Sequence, residues 1–230
     1  MLEPFGDNLW TCHQPMRVMG LSELGHRMTV ARLEDGTLWV HSPVAWSEEL
    51  GAELAALGEP RWFFAPNLYH DTYWPGWFAA YPQGRFLGVP GFKRMHPGWP
   101  MAEVPGTAAL PAAWGEDLET VPLAGMPRLN EWVCLHKPSQ TLIVADLLMN
   151  FPDSEPDLRT RLLDILADTH GEPGPCRLFK IMVRDKGALR ESFRRVLELD
   201  FENIIVGHGE NVRGGGRAYL ERAHAGYLGL

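Results

Sequence analysis

The segment NEWVCLHKPSQTLIVAD, residues 130–146, contains two apolar runs separated by a four-residue turn, Lys137–Gln140. Both runs are rich in β-branched or aromatic side chains, so the pattern predicts a β-hairpin. In the second run, residues 142–145 are apolar at every position, whichever face of the strand they point to. A strand of this kind is covered on both sides. The segment therefore predicts a sheet that is buried between two other layers.

The rest of the chain alternates between short strand patterns and helical patterns. The pair Asp35-Gly36 favours a tight hairpin turn, and Ser47 and Gly58 are typical residues for the two ends of a helix. This order predicts sheets covered by helices. The predicted strands cover residues 26–33, 37–41, 61–65, 84–89, 130–136, 141–146 and 201–206, and the predicted helices cover 47–57, 76–80, 154–167, 186–199 and 217–227.

Residues 67–114 are unusually rich in tryptophan and proline. An aromatic segment of this kind packs over either the domain core or a ligand cleft. The first interpretation makes its tryptophans part of the core. The second places Trp74, Trp77 and Trp99 at the rim of a cleft.

Composition narrows the classes of protein to which the chain can belong. It has 230 residues, of which 45% are hydrophobic and 22% charged, and these fractions exclude a disordered chain. The net charge of −8 argues against a nucleic-acid partner, which would require clustered Lys and Arg. No repeat and no clear linker is visible, so we expect one domain over residues 1–230.

The same features indicate a cellular compartment. No window is apolar enough for a transmembrane helix, and the first residues do not resemble a secretory signal. The three cysteines are widely spaced and odd in number, which suits a reducing environment. We therefore expect a cytoplasmic protein with no membrane partner.

Side chains that can bind a metal ion stand at or just after the ends of three apolar strands. They are His70 and Asp71 after RWFFA, Asp146 at the end of TLIVAD, and His208 between two glycines after the last strand. Loops that leave strand ends can converge on one rim of a sheet, so these four residues can form one site. Imidazole and carboxylate ligands suit zinc, iron or manganese. Each residue also has a purely structural interpretation, as a turn cap or a packed, hydrogen-bonded histidine.

Three stretches resemble the motifs of the metallo-β-lactamase superfamily, and in particular its lactamase-like branch of unknown function. They are APNLYHDTYW (65–74), IVADLLMN (143–150) and IIVGHGE (204–210), and DGTLWVHSPV (35–44) resembles the early hairpin of the same fold. These stretches span most of the chain in the family's order. The resemblance implies an α/β protein with a four-layer α/β/β/α sandwich, in which two mixed β-sheets lie face to face with helices outside.

The family's metal motifs are only partly present in this chain. The first motif reads H-x-H-x-D-H, whereas Asn67 and Tyr69 stand at its two leading histidine positions and Thr72 at its last. The single histidine expected next is absent from AGMPRLN, residues 124–130. The resemblance therefore implies one weakly held divalent ion, or none, in place of the family's pair.

The ligands that the resemblance retains are Asp71, Asp146 and His208, and His70 joins them if the alignment shifts by one residue. With one ion bound, Asp71 or Asp146 is the expected catalytic carboxylate, which takes a proton from water. Two functions follow from this set. The chain is a metal-dependent hydrolase of an ester, thioester or phosphoester, or it is a metal-free, non-catalytic protein that binds a small molecule or a protein partner.

Overall fold

The apolar runs of the sequence form two β-sheets packed face to face. The structure is a computed structural model that describes residues 1–18, 22–104, 111, 114–151 and 173–230. In chain order the strands are β1 (Glu3–Gly6), β2 (Leu9–Gln14), β3 (Arg17–Val18), β4 (Ser22–Glu23), β5 (His26–Arg32), β6 (Thr37–His41), β7 (Glu59–Ala65), β8 (Arg85–Gly88), β9 (Ala102–Glu103), β10 (Leu118–Pro122), β11 (Trp132–His136), β12 (Thr141–Ile143), β13 (Met149–Asn150), β14 (Asn203–Ile205) and β15 (His208–Gly209).

The helices lie between and after these strands. They are α1 (Glu48–Leu57), α2 (Trp74–Ala80), α3 (Phe92–Met95), α4 (Arg177–Met182), α5 (Lys186–Glu198) and α6 (Gly216–Leu228). Helix α1 begins where the sequence predicts, because the Ser47 hydroxyl accepts a hydrogen bond from the Leu50 amide. No helix within the described ranges is long and apolar enough to cross a membrane.

The first sheet has seven strands in the order β1-β2-β5-β6-β7-β8-β9. The predicted hairpin β5–β6 is antiparallel, and the Asp35 carboxylate accepts hydrogen bonds from the amide and hydroxyl of Thr37 in its turn. Strands β6, β7 and β8 run parallel to one another. Their carboxyl ends therefore meet at one edge, where the loop after β7 begins.

The second sheet has four strands in the order β10-β11-β12-β14. The predicted hairpin β11–β12 pairs Cys134 with Ile143, and β12 then pairs in parallel with β14. Beyond this sheet, β13 and β15 form a short parallel pair that places Met149 opposite His208. The carboxyl ends of β12 and β14 consequently lie side by side.

Two hydrophobic clusters produce the four layers. One cluster joins the first sheet to α1 and α2 and also includes the inward-facing Trp132, Cys134 and Ile143 of the second sheet. The other packs the outer face of the second sheet against α4, α5 and α6. The predicted four-layer α/β/β/α sandwich is therefore confirmed. The organisation as one domain over residues 1–230 stays a prediction.

The predicted elements that the structure describes differ from the observed ones mainly at their ends, whereas β1, β2, β10 and α4 have no counterpart among the predictions. The strand predicted over 141–146 ends at Ile143, because the Glu131 side chain takes the backbone amides of residues 145–147. The strand predicted over 201–206 is shortened to β14. The helix predicted over 154–167 lies outside the described residues.

The tryptophans of the middle segment belong mostly to the core. Trp74 and Trp77 are buried, and their indole N–H groups donate to the carbonyls of His70 and Val44, both at 2.7 Å. The prediction that these two residues rim a cleft is therefore wrong. Trp99 is only half-buried, and its ring stacks on the His96 ring at a centroid distance of 3.7 Å.

Candidate metal centre

Three of the predicted site residues come together at the carboxyl ends of the central strands. His70 follows β7, Asp146 follows β12, and His208 follows β14. One ligand atom from each lies within 4.8 Å of the others. The two imidazole Nε2 atoms lie 3.6 Å and 3.4 Å from the same carboxylate oxygen, Asp146 Oδ1.

His208 presents a defined nitrogen to this group. Its Nδ1 lies 2.7 Å from the carbonyl oxygen of Gly25, and a carbonyl can only accept. Nδ1 therefore carries a proton, and in the neutral ring Nε2 has its lone pair directed towards Asp146. Hydrogen bonding of the second ring nitrogen is the usual way in which a protein fixes the tautomer of a metal-binding histidine.

The loop around His208 is held by the half-buried Arg27 and by close backbone contact. Arg27 donates from Nη1 to the carbonyls of Val206 at 2.8 Å and of Gly209 at 2.7 Å, on either side of the histidine. A Cβ at Gly207 would stand 2.7 Å from the carbonyl oxygen of Ala145. Glycine is therefore required at position 207 if the loop is to lie this close to Asp146.

His70 is positioned by the turn that follows β7. The Asn67 side-chain oxygen accepts hydrogen bonds from the amides of Tyr69 and His70, at 2.9 Å and 3.0 Å. This turn points the imidazole of His70 inwards, where the Ser42 hydroxyl contacts its Nδ1. Its other nitrogen, Nε2, is buried and has no hydrogen-bond partner among the described residues.

Asp146 is held from two sides. The Asn67 amide donates to its Oδ2 at 2.7 Å, which leaves Oδ1 for the two imidazoles. The backbone amide of Asp146 donates to the Glu131 carboxylate at 3.0 Å. Burial by itself would raise the pKa of Asp146, but its interactions with His70 and His208 more than offset burial, and the pKa lies well below its ordinary value. The carboxylate is therefore ionised at neutral pH.

Glu131 supports the loop that carries Asp146. Its buried carboxylate accepts from the amides of Ala145, Asp146 and Leu147 at distances of 2.9–3.1 Å. Burial, followed by the nearby Asp146 charge, raises the pKa of Glu131 to about 8 despite these bonds. The residue is a support for the backbone and does not join the three-residue group.

The structure does not bring Asp71 into this group. Its carboxylate oxygen Oδ2 lies 2.9 Å from Nε2 of His96, and both side chains are partly exposed. The neighbouring Tyr69 is also turned outwards, and its hydroxyl contacts the sulfur of Met182 at 3.9 Å. The structure therefore agrees with the alignment shifted by one residue, in which His70 takes the place of a motif histidine.

Three residues of the site have no place in the sequence predictions. Ser42 touches His70, His26 lies against both histidines of the group at ring distances of 4.9 Å and 6.0 Å, and Glu131 holds the Asp146 loop. Burial, followed by the nearness of His70 and His208, lowers the pKa of His26 well below its ordinary value. The sequence could have indicated Glu131, because it is a charged residue directly before an apolar strand. Nothing in the local sequence distinguishes Ser42 or His26.

The donor set fits a divalent ion of the zinc class. Two imidazole nitrogens and one ionised carboxylate are the ligands such an ion takes in sites with three protein ligands. Two features of the structure support this fit. The buried Nε2 of His70 has no hydrogen-bond partner among the described residues. In the neutral His208 ring the lone pair of Nε2 faces Asp146 Oδ1, and no hydrogen lies between these two atoms. A cation or an additional proton satisfies both features.

Solved structures with the same fold are numerous, although the sequences are distant. Neither a protein-family model nor a curated protein matches this chain. A metallo-β-lactamase from Pontibacter korlensis has 10% identity, covers 100% of this chain and 98% of its own, and superposes with a TM-score of 0.66. The metallo-β-lactamase FIM-1 from Pseudomonas aeruginosa, in its mono-zinc form, has 10% identity, coverages of 99% and 96%, and a TM-score of 0.64.

A third similar structure comes from a different kind of protein. It is a putative diflavin flavoprotein fragment from Nostoc, with 13% identity, coverages of 100% and 95%, and a TM-score of 0.66. At such low identity these similarities concern the fold, and they extend over the whole length of the chain. Together with the two facing sheets and the outer helices, they show that this chain has the metallo-β-lactamase-like fold.

Proposed function

We propose that the chain is a metal-dependent hydrolase that uses one divalent ion, bound by His70, Asp146 and His208. The observation that supports this most directly is the convergence of the three ligand atoms within 4.8 Å, with His208 fixed in the tautomer that leaves Nε2 free. Zinc, iron and manganese all accept this donor set. The mono-zinc form of a similar lactamase is consistent with a single ion in this fold.

In this proposal the three ligands and the residues that support them have different roles. His70, Asp146 and His208 hold the ion, which when bound supplies the Lewis acidity that activates water and polarises an ester, thioester or phosphoester oxygen. Asp146 supplies the one carboxylate among the three converging residues, and we assign to it the uptake of a proton from a water molecule at the site. Asn67 and Glu131 keep the Asp146 carboxylate and its loop in place.

Asp71 has a less direct part in the proposal. As an ion ligand or as the proton acceptor it would have to leave His96, to which it is bonded at 2.9 Å. We therefore assign the proton transfer to Asp146. Asp71 follows His70 in the chain and shapes the outer side of the same loop.

A second candidate function is a metal-free protein that binds a small molecule or a protein partner in a lactamase-like fold. The contact that favours it is the 2.7 Å hydrogen bond from Asn67 to Asp146, because this bond occupies a carboxylate oxygen that an intact metal site would have available. In that case His70 or His208 carries an additional proton, and the group is an internal ion pair.

Metal binding separates the two functions. Protein purified without a chelator or histidine tag should contain less than one equivalent of divalent metal after dialysis, because Asn67 and Tyr69 replace two imidazoles of the family's motif and the Asn67 amide occupies one oxygen of the Asp146 carboxylate. His208→Ala should remove what remains, as measured by elemental analysis and by titration with Co²⁺. Asp71→Asn is the matched control and should bind as the natural protein does, since Asp71 is bonded to His96. Two ions per chain that resist a mild chelator would show that further residues complete the site.

A further inference from the structure

The hydroxyl of Ser42 lies between two buried imidazoles. It contacts Nδ1 of His70, and it lies 3.1 Å from Nε2 of His26. The three side chains are almost inaccessible, with exposed fractions of 1% for Ser42, 4% for His26 and 5% for His70. The chain of contacts therefore runs from the interior of the first sheet to a proposed metal ligand.

The position of Ser42 in the backbone is unusual for its residue type. Its φ is 52°, in the left-handed region that a serine seldom adopts. Its amide donates to the carbonyl of Phe64 at 3.0 Å, and its carbonyl receives a second contact from Nε2 of His26 at 3.1 Å. Backbone strain of this kind persists where the surrounding structure fixes it, and it is common at functional sites.

We propose that Ser42 is a positioning residue for the metal ligand His70, and that His26 holds Ser42 in turn. This inference rests on the proposed function, because it concerns how His70 is prepared for an ion. If an ion binds Nε2 of His70, the remaining proton of the neutral ring is on Nδ1 and is donated to the Ser42 hydroxyl oxygen. Without that acceptor, the ring could turn or adopt the other tautomer.

His26 supports this arrangement by a contact that it makes with the backbone. The Ser42 carbonyl can only accept, so Nε2 of His26 donates to it and holds residue 42 in its left-handed conformation. His26 itself is not placed among the three residues whose ligand atoms converge. We therefore assign it to the support of Ser42 and not to the ion.

The test compares two changes at position 42 with one matched control elsewhere in the chain. Ser42→Ala removes the hydroxyl and keeps the strained backbone, whereas Ser42→Gly removes the hydroxyl and relieves the strain. Ser139→Ala is the control, because the Ser139 hydroxyl makes a similar 2.7 Å hydrogen bond to a buried histidine, His136, that is not part of the metal group. Titration with Co²⁺ alone gives the dissociation constant, and urea unfolding of the metal-free proteins gives the stability.

Both changes at position 42 should weaken Co²⁺ binding by about 10- to 100-fold, the range typical for loss of a partner of a metal-binding histidine, and they should do so equally. Ser42→Gly should nevertheless be the more stable of the two, and Ser139→Ala should bind Co²⁺ as the natural protein does. Unchanged affinity in Ser42→Ala, or affinity that follows stability across the three variants, would overturn the inference.

A measurement on the natural protein covers the case in which neither variant folds. In the zinc-loaded protein, ¹⁵N spectra of the histidine rings should show His70 protonated at Nδ1. A His70 Nδ1–H in that state with the ¹H and ¹⁵N shifts of a ring N–H that has no acceptor would contradict the role of Ser42 while leaving the metal site intact. A natural protein that binds neither Co²⁺ nor Zn²⁺ would refute the proposed function itself, and the two failures are thus distinguishable.

Discussion

Gly207→Ala should both destabilise the protein and abolish the convergence of the three proposed ligands. The new Cβ would lie 2.7 Å from the carbonyl oxygen of Ala145, 3.1 Å from the Cα of Ala145 and 3.1 Å from Cε1 of His70. Two of these atoms belong to the backbone and cannot rotate away. The ends of β12 and β14 must therefore move apart, and the His70 ring must move with them.

Insertion of a methyl group into a packed interior costs about 1–3 kcal/mol of unfolding free energy. In a chain of this size each kcal/mol lowers the melting temperature by about 2–4 °C. Calorimetry and Co²⁺ titration measure the two effects. Gly98→Ala is the matched control, because a Cβ there has no atom within 4 Å. If Gly207→Ala had the same stability and metal affinity as the unsubstituted protein, the backbone at position 207 and that at Ala145 would have to be further apart than in the structure.

The metal-free protein should lose stability steeply as the pH falls from about 6.5 to 4. Burial lowers the pKa of His41 to about 3 and those of His136 and His224 to about 4, from an ordinary value of 6.5. The unfolded chain binds protons more readily at these three positions than the folded chain does. The neutral histidines therefore contribute fully to the free energy of unfolding above pH 6.5, and this contribution is lost as the pH falls towards their pKa values in the folded protein. Each group changes the unfolding free energy by up to about 1.4 kcal/mol per pH unit in this range.

Glu131 acts in the opposite direction. Its folded pKa of about 8 is above its ordinary value of 4.5, so its contribution is complete below pH 4.5 and is lost as the pH rises towards 8. A single carboxyl group cannot cancel three histidines, and the net slope below pH 6.5 stays positive. Urea unfolding at a series of pH values measures this slope.

His41→Leu isolates one of the three histidines. Both ring nitrogens of His41 are buried without a hydrogen-bond partner among the described residues. The change should raise the unfolding free energy at pH 7 by about 1–3 kcal/mol, the cost of an unsatisfied buried polar group, and should flatten the pH dependence. His136→Leu is the comparison, since it also removes the hydrogen bond to Ser139 and gains less. An equal slope in His41→Leu and the natural protein would exclude His41 as a titrating group.

Much of the fold could be predicted from local sequence patterns. The Asp35-Gly36 turn, the Ser47 cap and the alternating apolar runs determine elements whose ends differ from prediction by only a few residues. The early end of β12 could not be predicted, because it depends on Glu131, which reaches the loop from a neighbouring strand. Interactions across the sheet change strand ends without leaving a local pattern.

The candidate site could be predicted only in part for a similar reason. Asp146 and His208 stand at strand ends, and the sequence marks them directly. The choice between His70 and Asp71 depends on the Asn67 turn, which rotates the loop so that His70 points inwards and Asp71 outwards towards His96. A strict alignment with the family motif assigns Asn67 to a ligand position, whereas the structure uses it to hold Asp146.

The parallel pairing of β12 with β14 has a consequence for the kinetics of folding. Residue 142 pairs with residue 204, and the contact between Gly25 and His208 spans 183 positions of the chain. Contacts between such distant residues form late, since closing a long loop costs entropy before any interaction rewards it. We therefore expect the three proposed ligands to meet only after the rate-limiting barrier. Added zinc should then leave the folding rate unchanged and slow unfolding, which would appear as a shift of only one limb of the chevron plot.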